Sequence, residues 1–119
     1  LKPFLRRCHQ QGLKVGALSD YPPQTKLTAL GVSAWLDPQL CSASPQIGAF
    51  KPAPQGIIHA CQYWEIDPVN CLYIGDRADV DQLAAQRAGA RFIGMGQPWG
   101  STDTLSVKDF MELMEIMGI

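Results

Sequence analysis

Apolar and polar residues follow two different rhythms along this chain. Short, mostly apolar runs are typical of strands, whereas the stretches between them place apolar side chains three to four residues apart, as helices do. Glycine, proline or a Ser-Asp pair marks most of the boundaries. The pattern predicts helices over residues 1–11, 21–31, 54–64, 78–88 and 107–117, and strands over residues 13–18, 36–42, 71–74 and 91–95.

Strands that alternate with helices predict an α/β fold with right-handed crossovers and a parallel sheet. The run at residues 71–74 (CLYI) is apolar throughout, which suits a strand covered on both faces. We therefore expect a Rossmann-like three-layer sandwich. No internal repeat or linker divides the sequence, so residues 1–119 are expected to form a single domain.

Composition excludes several classes of function. The net charge is −1, so no basic field attracts nucleic acid or an anionic membrane, and the apolar runs are far shorter than a membrane span. The 4 cysteines are widely spaced, and the 2 histidines do not complete a zinc pattern. We expect no signal peptide, reduced thiols and a cytoplasmic location.

Polar residues that can carry chemistry follow the predicted strands or lie close to their ends. In open parallel sheets, the carboxyl ends of the strands gather the ligand-binding groups. Carboxylates there can bind magnesium, and an amine or a hydroxyl can bind phosphoryl oxygens, so the pattern indicates phosphoryl transfer. The candidates are Ser19, Asp20, Lys51, Asp76, Asp79 and Asp81.

Each of these residues also has an ordinary structural interpretation. Ser19 could cap the helix that follows it, and Lys51 could be a solvated surface lysine. Gly75-Asp76 is a common junction between a strand and a turn, and Asp79 and Asp81 could be first-turn acids favoured by the helix dipole. Taken one at a time, none of these residues decides between the two interpretations.

Taken in order, these residues resemble the motifs of the haloacid dehalogenase superfamily. A strand that ends in Ser19-Asp20 is similar to the second motif of that family, and Lys51-Pro52-Ala53-Pro54 is similar to the third. The run from Ile74 to Asp81 (IGDRADVD) resembles the fourth motif, which is Gly-Asp followed by a second acid. The resemblance extends over nearly the whole chain.

The resemblance implies roles for individual residues in holding a phosphorylated substrate. Ser19 would hydrogen-bond a phosphoryl oxygen, with Asp20 beside it in the phosphate-binding segment. Lys51 would stabilise the negative charge shared by the phosphoryl group and the nucleophile. Asp76 would be a ligand of Mg²⁺, and Asp81 would contact the metal through water, with Asp79 as the alternative for that role.

The first motif of the family has no counterpart here. It is an Asp-x-Asp at the end of an early strand, and its first aspartate attacks phosphorus. The literal Asp79-Val80-Asp81 does not end an apolar strand, so we expect no nucleophile within residues 1–119. The family's missing strand would lie between the strands that precede Ser19 and Asp76. We therefore expect an incomplete core domain whose two bare flanks either close on each other or are filled by a second polypeptide or copy.

The resemblance also bears on the substrate. About thirty residues separate Asp20 from Lys51, and they already contain a helix and a strand, so no cap domain fits there. Any cap would lie upstream of Leu1, as in the phosphoglycolate phosphatase-like branch, and would choose the substrate. Dehalogenases of the superfamily work without metal and typically lack Gly-Asp in the fourth motif, so Gly75-Asp76 favours a phosphatase for a small phosphorylated metabolite.

Three functions remain open on these grounds. The first is a magnesium-dependent phosphate-ester hydrolase, of which this chain is a C-terminal part that is inactive alone. The second is a non-catalytic α/β scaffold or interaction module that retains the motifs as relics. The third is a receiver-like regulatory domain, which also places acids at strand ends but needs a phosphoacceptor aspartate that is not clear in this sequence.

Overall fold

The computed structural model describes residues 1–96 and 104–119, and it confirms the α/β class. The helices are α1 (Lys2–Gln10), α2 (Gln24–Ala29), α3 (Gln55–Trp64), α4 (Leu83–Ala88) and α5 (Phe110–Met117). The strands are β1 (Ala17–Ser19), β2 (Gln39–Cys41), β3 (Leu72–Gly75), β4 (Arg91–Met95) and β5 (Ser106–Val107). None of the described helices is long and apolar enough to cross a lipid bilayer.

All strand pairings in the described residues are parallel, and they form two separate sheets. In the first sheet β1 pairs with β2, and Ser19 lies opposite Cys41. In the second sheet β4 lies between β3 and β5, and Gly75 lies opposite Gly94. Parallel neighbours need a crossover between them, and α2 and α4 supply it for the pairs β1–β2 and β3–β4.

Helices cover both faces of the sheets, and each face has its own hydrophobic core. The first core includes Phe4 and Leu5 of α1 and Leu113 of α5, and the second includes Ile57 of α3 and Ala84 and Ala85 of α4. Successive strand residues divide between the two cores, because side chains alternate along a strand. Leu72 and Ile74 pack with the first core and Tyr73 with the second, which gives the three layers that the sequence predicted.

A gap separates the two sheets between β1 and β3. No backbone hydrogen bond joins these strands within residues 1–96 and 104–119. The expectation that the bare flanks close on each other is therefore wrong. Each strand is held instead by its own sheet partner and by the helices that pack on it. Filling of the gap by a second polypeptide or copy stays a prediction.

Two predicted boundaries are wrong for local reasons. The strand predicted over residues 13–18 begins only at Ala17, because the backbone hydrogen bonds before it do not follow a regular parallel ladder: the Asp37 N–H donates to the Val15 carbonyl oxygen at 2.8 Å, but the Ala17 N–H donates to Pro38 at 2.9 Å and not to Asp37. The helix predicted from Val107 begins only at Phe110, because Val107 pairs in β5 and Asp109 caps the helix by accepting the Glu112 N–H at 2.9 Å. Residues 97–103 of the predicted Gly/Pro/Ser-rich loop lie outside the described residues.

The end of α3 is fastened to the segment that precedes β2. Tyr63 Oη donates to the Asp37 carboxylate at 2.8 and 2.9 Å, and Trp64 Nε1 donates to the Asp37 carbonyl oxygen at 2.9 Å. These contacts lie at the amino end of the first sheet, whereas Lys51 precedes the opposite end of α3. The helix is thus held at one end by an aromatic latch (Asp37, Tyr63 and Trp64) and leads at the other end to Lys51.

We predict that the four free thiols react with iodoacetamide in an order set by burial. Burial raises the pKa of Cys8 and Cys71 and raises that of Cys61 to about 12, so these thiols hold little reactive thiolate at neutral pH. Cys41 is only half-buried and should be alkylated first.

Peptide mass spectrometry after brief labelling of the native chain measures this order. The unfolded chain is the control, and there all the cysteines should react at similar rates. Equal labelling of Cys41 and Cys61 in the native chain would contradict the second core.

Candidate active site

The carboxyl ends of β1, β3 and β4 meet at one open cleft of about 470 Å³. Leu18, Gly75 and Met95 contribute to its walls, one from each strand. The cleft is also lined by the charged residues Lys51, Asp76 and Asp81. Three residues that the sequence singled out, far apart along the chain, therefore share one cleft.

Asp81 connects the polar groups of this cleft. Its Oδ1 accepts a hydrogen bond from Lys51 Nζ at 2.8 Å, and its Oδ2 accepts the backbone N–H groups of Asp76 and Arg77, each at 3.1 Å. The side chains of Lys51 and Asp81 are 14% and 4% exposed. One buried carboxylate thus holds both the lysine and the loop that carries Asp76.

Lys51 keeps its positive charge in this arrangement. Burial lowers the pKa of Lys51, but the hydrogen bond to Asp81 and the neighbouring Tyr73 and Asp81 groups outweigh that effect. The pKa of Lys51 therefore lies above its ordinary value. An ammonium group that stays charged at neutral pH can stabilise an anion bound in the cleft.

A π-helical turn over Ala78–Gln82 decides which acid faces the cleft. Asp81 lies on the inner side of the turn and is buried. Asp79 lies on the outer side, where its carboxylate pairs with Arg77 at 2.9 Å and its side chain is 69% exposed. The hydrogen bond from Arg77 lowers the pKa of Asp79. Single π-helical turns occur often at functional sites, and here the turn separates two acids that are close in sequence.

Gly75 leaves the space that Asp81 occupies. A Cβ atom at residue 75 would lie 2.5 Å from the Asp81 Cβ and 2.6 Å from its Oδ2, far inside contact distance. The glycine of the Gly-Asp pair is therefore required by the close approach of the Asp81 carboxylate to the end of β3.

Ser19 ends β1 and Asp20 follows it at the same edge of the fold, but neither residue lines the cleft. Ser19 Oγ accepts the Tyr21 N–H at 3.3 Å in a local turn. It does not cap α2, because that helix begins after Pro23 without a side-chain cap. Asp20 Oδ1 is buried and has no hydrogen-bond partner in the described residues, and the Asp20 charge acts on Tyr73 in the cleft. A carboxylate repels a phosphoryl group, so any phosphate contact at Asp20 falls to its backbone.

Asp76 is the carboxylate available to a metal ion in this cleft. Its side chain makes no hydrogen bond or ion pair with the described residues, whereas Asp81 is engaged on both oxygens. Within residues 1–96 and 104–119, no group of three or more His, Cys, Asp or Glu side chains could hold a metal ion. Magnesium is commonly held by one or two carboxylates together with water and substrate phosphate, so one free carboxylate fits part of such a site.

Sequence reasoning missed Tyr73, whose side chain also lines the cleft. The centroid of its ring lies 5.9 Å from Lys51 Nζ. Strand alternation places Tyr73 on the same face as Gly75, and this was the signal in the sequence that could have revealed it. Because residues 71–74 were interpreted as a purely apolar strand, Tyr73 was not counted among the candidate site residues.

Comparison with known proteins decides the family. Residues 1–89 match the family model described as haloacid dehalogenase-like hydrolase. The chain belongs to this family. A curated relative of this hydrolase family, glyceraldehyde 3-phosphate phosphatase of Methanopyrus kandleri, is 32% identical over 90 residues, which are 73% of this chain and 38% of the relative.

Solved structures of haloacid dehalogenase-like proteins share the fold. The 2-haloacid dehalogenase of Pseudomonas syringae matches with a TM-score of 0.84 and 21% identity, over 99% of this chain and 51% of that one. A hydrolase of the same family from Deinococcus radiodurans, solved with bound phosphate and sodium, matches with a TM-score of 0.83 and 22% identity, over 98% and 56% of the two chains. The chain thus spans about half the length of these solved relatives.

Replacing Gly75 with alanine should displace Asp81 and destabilise this hydrolase-family core. Overpacking at a well-filled position costs about 1–3 kcal/mol, and the free energy of unfolding measured in urea should fall by that amount. Shortening Asp81 to alanine removes the atoms that the new methyl group meets. The effects of Gly75→Ala and Asp81→Ala should therefore be less than additive, and strict additivity would contradict this explanation of the glycine.

Removing Asp81 should destabilise the family core more than removing Lys51. Asp81→Ala leaves a buried ammonium group and two backbone N–H groups without partners, and we expect a loss of about 3–5 kcal/mol in the free energy of unfolding. Lys51→Met leaves the Asp81 carboxylate bonded to both N–H groups, and we expect about 1–3 kcal/mol. Urea denaturation of both variants measures the order, with Asp79→Ala as the exposed acidic control. The reverse order would show that Asp81 does not organise the loop.

Proposed function

We propose that this chain supplies the substrate-binding and metal-binding part of a magnesium-dependent phosphate-ester hydrolase. The observation that carries the proposal is the shared cleft of Lys51, Asp76 and Asp81 at the carboxyl ends of parallel strands. A curated relative is a glyceraldehyde 3-phosphate phosphatase, and one solved relative binds phosphate, which supports a small phosphorylated metabolite as the substrate.

Asp76, Lys51 and Ser19 each have a definite task in this proposal. Asp76 would help to hold the magnesium ion, which neutralises phosphoryl charge when bound. Lys51, held by Asp81, stabilises the negative charge that the phosphoryl group shares with its attacker. Ser19 donates its hydroxyl hydrogen to a phosphoryl oxygen, and the turn to Tyr21 leaves that hydrogen available because Oγ is the acceptor there.

We propose that the attacking carboxylate comes from outside these residues, on a strand that enters the gap between β1 and β3. The strands on either side of the gap present backbone groups that no neighbouring strand of the described residues engages on that side. A strand in this gap would end at the cleft, between Ser19 and Asp76. It would also contribute the metal ligands that the cleft lacks.

We predict that hydrolysis depends on the upstream strand and on Asp76. The chain alone should not hydrolyse p-nitrophenyl phosphate, whereas a longer polypeptide with an upstream Asp-x-Asp strand should do so with Mg²⁺. Asp76→Ala in that polypeptide should lower kcat by about 10²- to 10³-fold, since it removes a charge-stabilising element. Asp79→Ala is the matched control and should retain activity, because its side chain faces solvent.

Steady-state assays over a range of magnesium concentrations measure these effects. Full activity of Asp76→Ala would remove the metal-ligand role. If the longer polypeptide with an upstream Asp-x-Asp strand fails to hydrolyse phosphate esters, the non-catalytic scaffold becomes the better interpretation of the same fold.

A further inference from the structure

Tyr73 lies beside Lys51 without being its ion-pair partner. Lys51 Nζ is 2.8 Å from Asp81 Oδ1 and 5.9 Å from the centroid of the Tyr73 ring. A cation within about 6 Å of an aromatic ring is attracted by the negative face of the ring. Two groups of different chemistry therefore act on one ammonium group.

The Tyr73 ring is itself firmly supported. Tyr73 lies in the middle of β3, directly opposite Phe92 of β4, and the centroids of the two rings are 6.4 Å apart. Its side chain also packs against the second core. Lys51, by contrast, follows a loop and reaches the cleft on a long flexible side chain. A rigid strand thus stands next to a long side chain whose ammonium group is held by the ion pair with Asp81.

We propose that Tyr73 is a positioning residue that keeps the ammonium group of Lys51 turned into the cleft. Asp81 fixes one contact of Lys51 Nζ, but a single contact is compatible with several conformations of the lysine side chain. The attraction of the ring favours those in which the ammonium group stays close to β3. The ligand that Lys51 then meets, a phosphoryl group, rests on the proposed function.

Both parts of the Tyr73 side chain act on Lys51: the ring centroid lies 5.9 Å from Nζ, and the hydroxyl group contributes to the raised pKa of Lys51. Burial is the largest cause that raises the pKa of Tyr73, so the side chain is neutral at neutral pH and does not repel an anion. Phenylalanine keeps the ring, and leucine removes it while it still fills part of the apolar space. The leucine substitution therefore tests the ring, and the phenylalanine substitution tests the hydroxyl group.

The affinity of the chain for inorganic phosphate, measured by calorimetry with Mg²⁺ present, tests the inference. We expect Tyr73→Leu to weaken binding about 2- to 5-fold, as for loss of one partly exposed cation–π contact, and Tyr73→Phe, which keeps the ring, to weaken it less. Tyr63→Leu is the matched control, because Tyr63 contacts Asp37 at the far end of α3, and it should bind like the wild type. In a Lys51→Met background, Tyr73→Leu should have no further effect, whereas a merely structural role would add to the loss.

A second measurement does not depend on phosphate binding. Nuclear Overhauser effects between the ring hydrogens of Tyr73 and the side-chain methylene groups of Lys51 should be present in the wild type and retained as ring contacts in Tyr73→Phe. Their absence from the wild type would overturn the inference, and so would equal phosphate affinity of the wild type and Tyr73→Leu. Contacts between these groups would support the positioning of Lys51 whether or not the chain binds phosphate, because the hydrolysis assay of the longer polypeptide tests the proposed function separately.

Discussion

The burial of one carboxylate controls the geometry of the candidate site. A charge withdrawn from water is tolerable only when hydrogen bonds and an opposite charge compensate it, and Asp81 obtains three such bonds. Two come from the backbone, which forces the chain after β3 to curl around the Asp81 side chain. The third comes from Lys51, thirty residues away in sequence. The position of the lysine, the shape of the loop and the need for glycine at residue 75 all follow from this requirement.

The same requirement explains how a site can form although the sheet is divided. β1 and β3 are not paired, so backbone hydrogen bonds between sheets cannot align their ends. Alignment comes instead from the layer that contains α3 and α4, whose core receives Leu18 from β1 and Tyr73 from β3. The Lys51–Asp81 pair then joins the segment that precedes α3 to the turn that precedes α4. Helix packing and one ion pair thus do what strand pairing does in an undivided sheet.

The sequence predicted the fold class, the parallel pairing and the family, because each depends on regular spacing or on an ordered set of motifs. It also placed Lys51, Asp76 and Asp81 together, since parallel strands bring their carboxyl ends to one edge. The resemblance already preferred Asp81 to Asp79, but the physical reason needed the structure, because a π-helical turn does not follow the spacing of an α-helix. Tyr73 was not predicted, because an aromatic residue in an apolar strand is more typical of core packing than of a functional site. β5 was missed because two residues are too few to show a period.

The aromatic latch on Asp37 bears on what the fluorescence of two tryptophans in the described residues, Trp35 and Trp64, can report. The Trp64 indole is bonded to a backbone carbonyl, and the ring of Trp35 stands edge-on to His9 with centroids 5.8 Å apart. Both indoles lie at the amino end of the first sheet, remote from the charged cleft. A change in their fluorescence during denaturation therefore follows the loosening of α1, α3 and the first sheet. A ligand bound in the cleft can leave the fluorescence of Trp35 and Trp64 unchanged, so unchanged fluorescence of these two residues does not prove that nothing has bound.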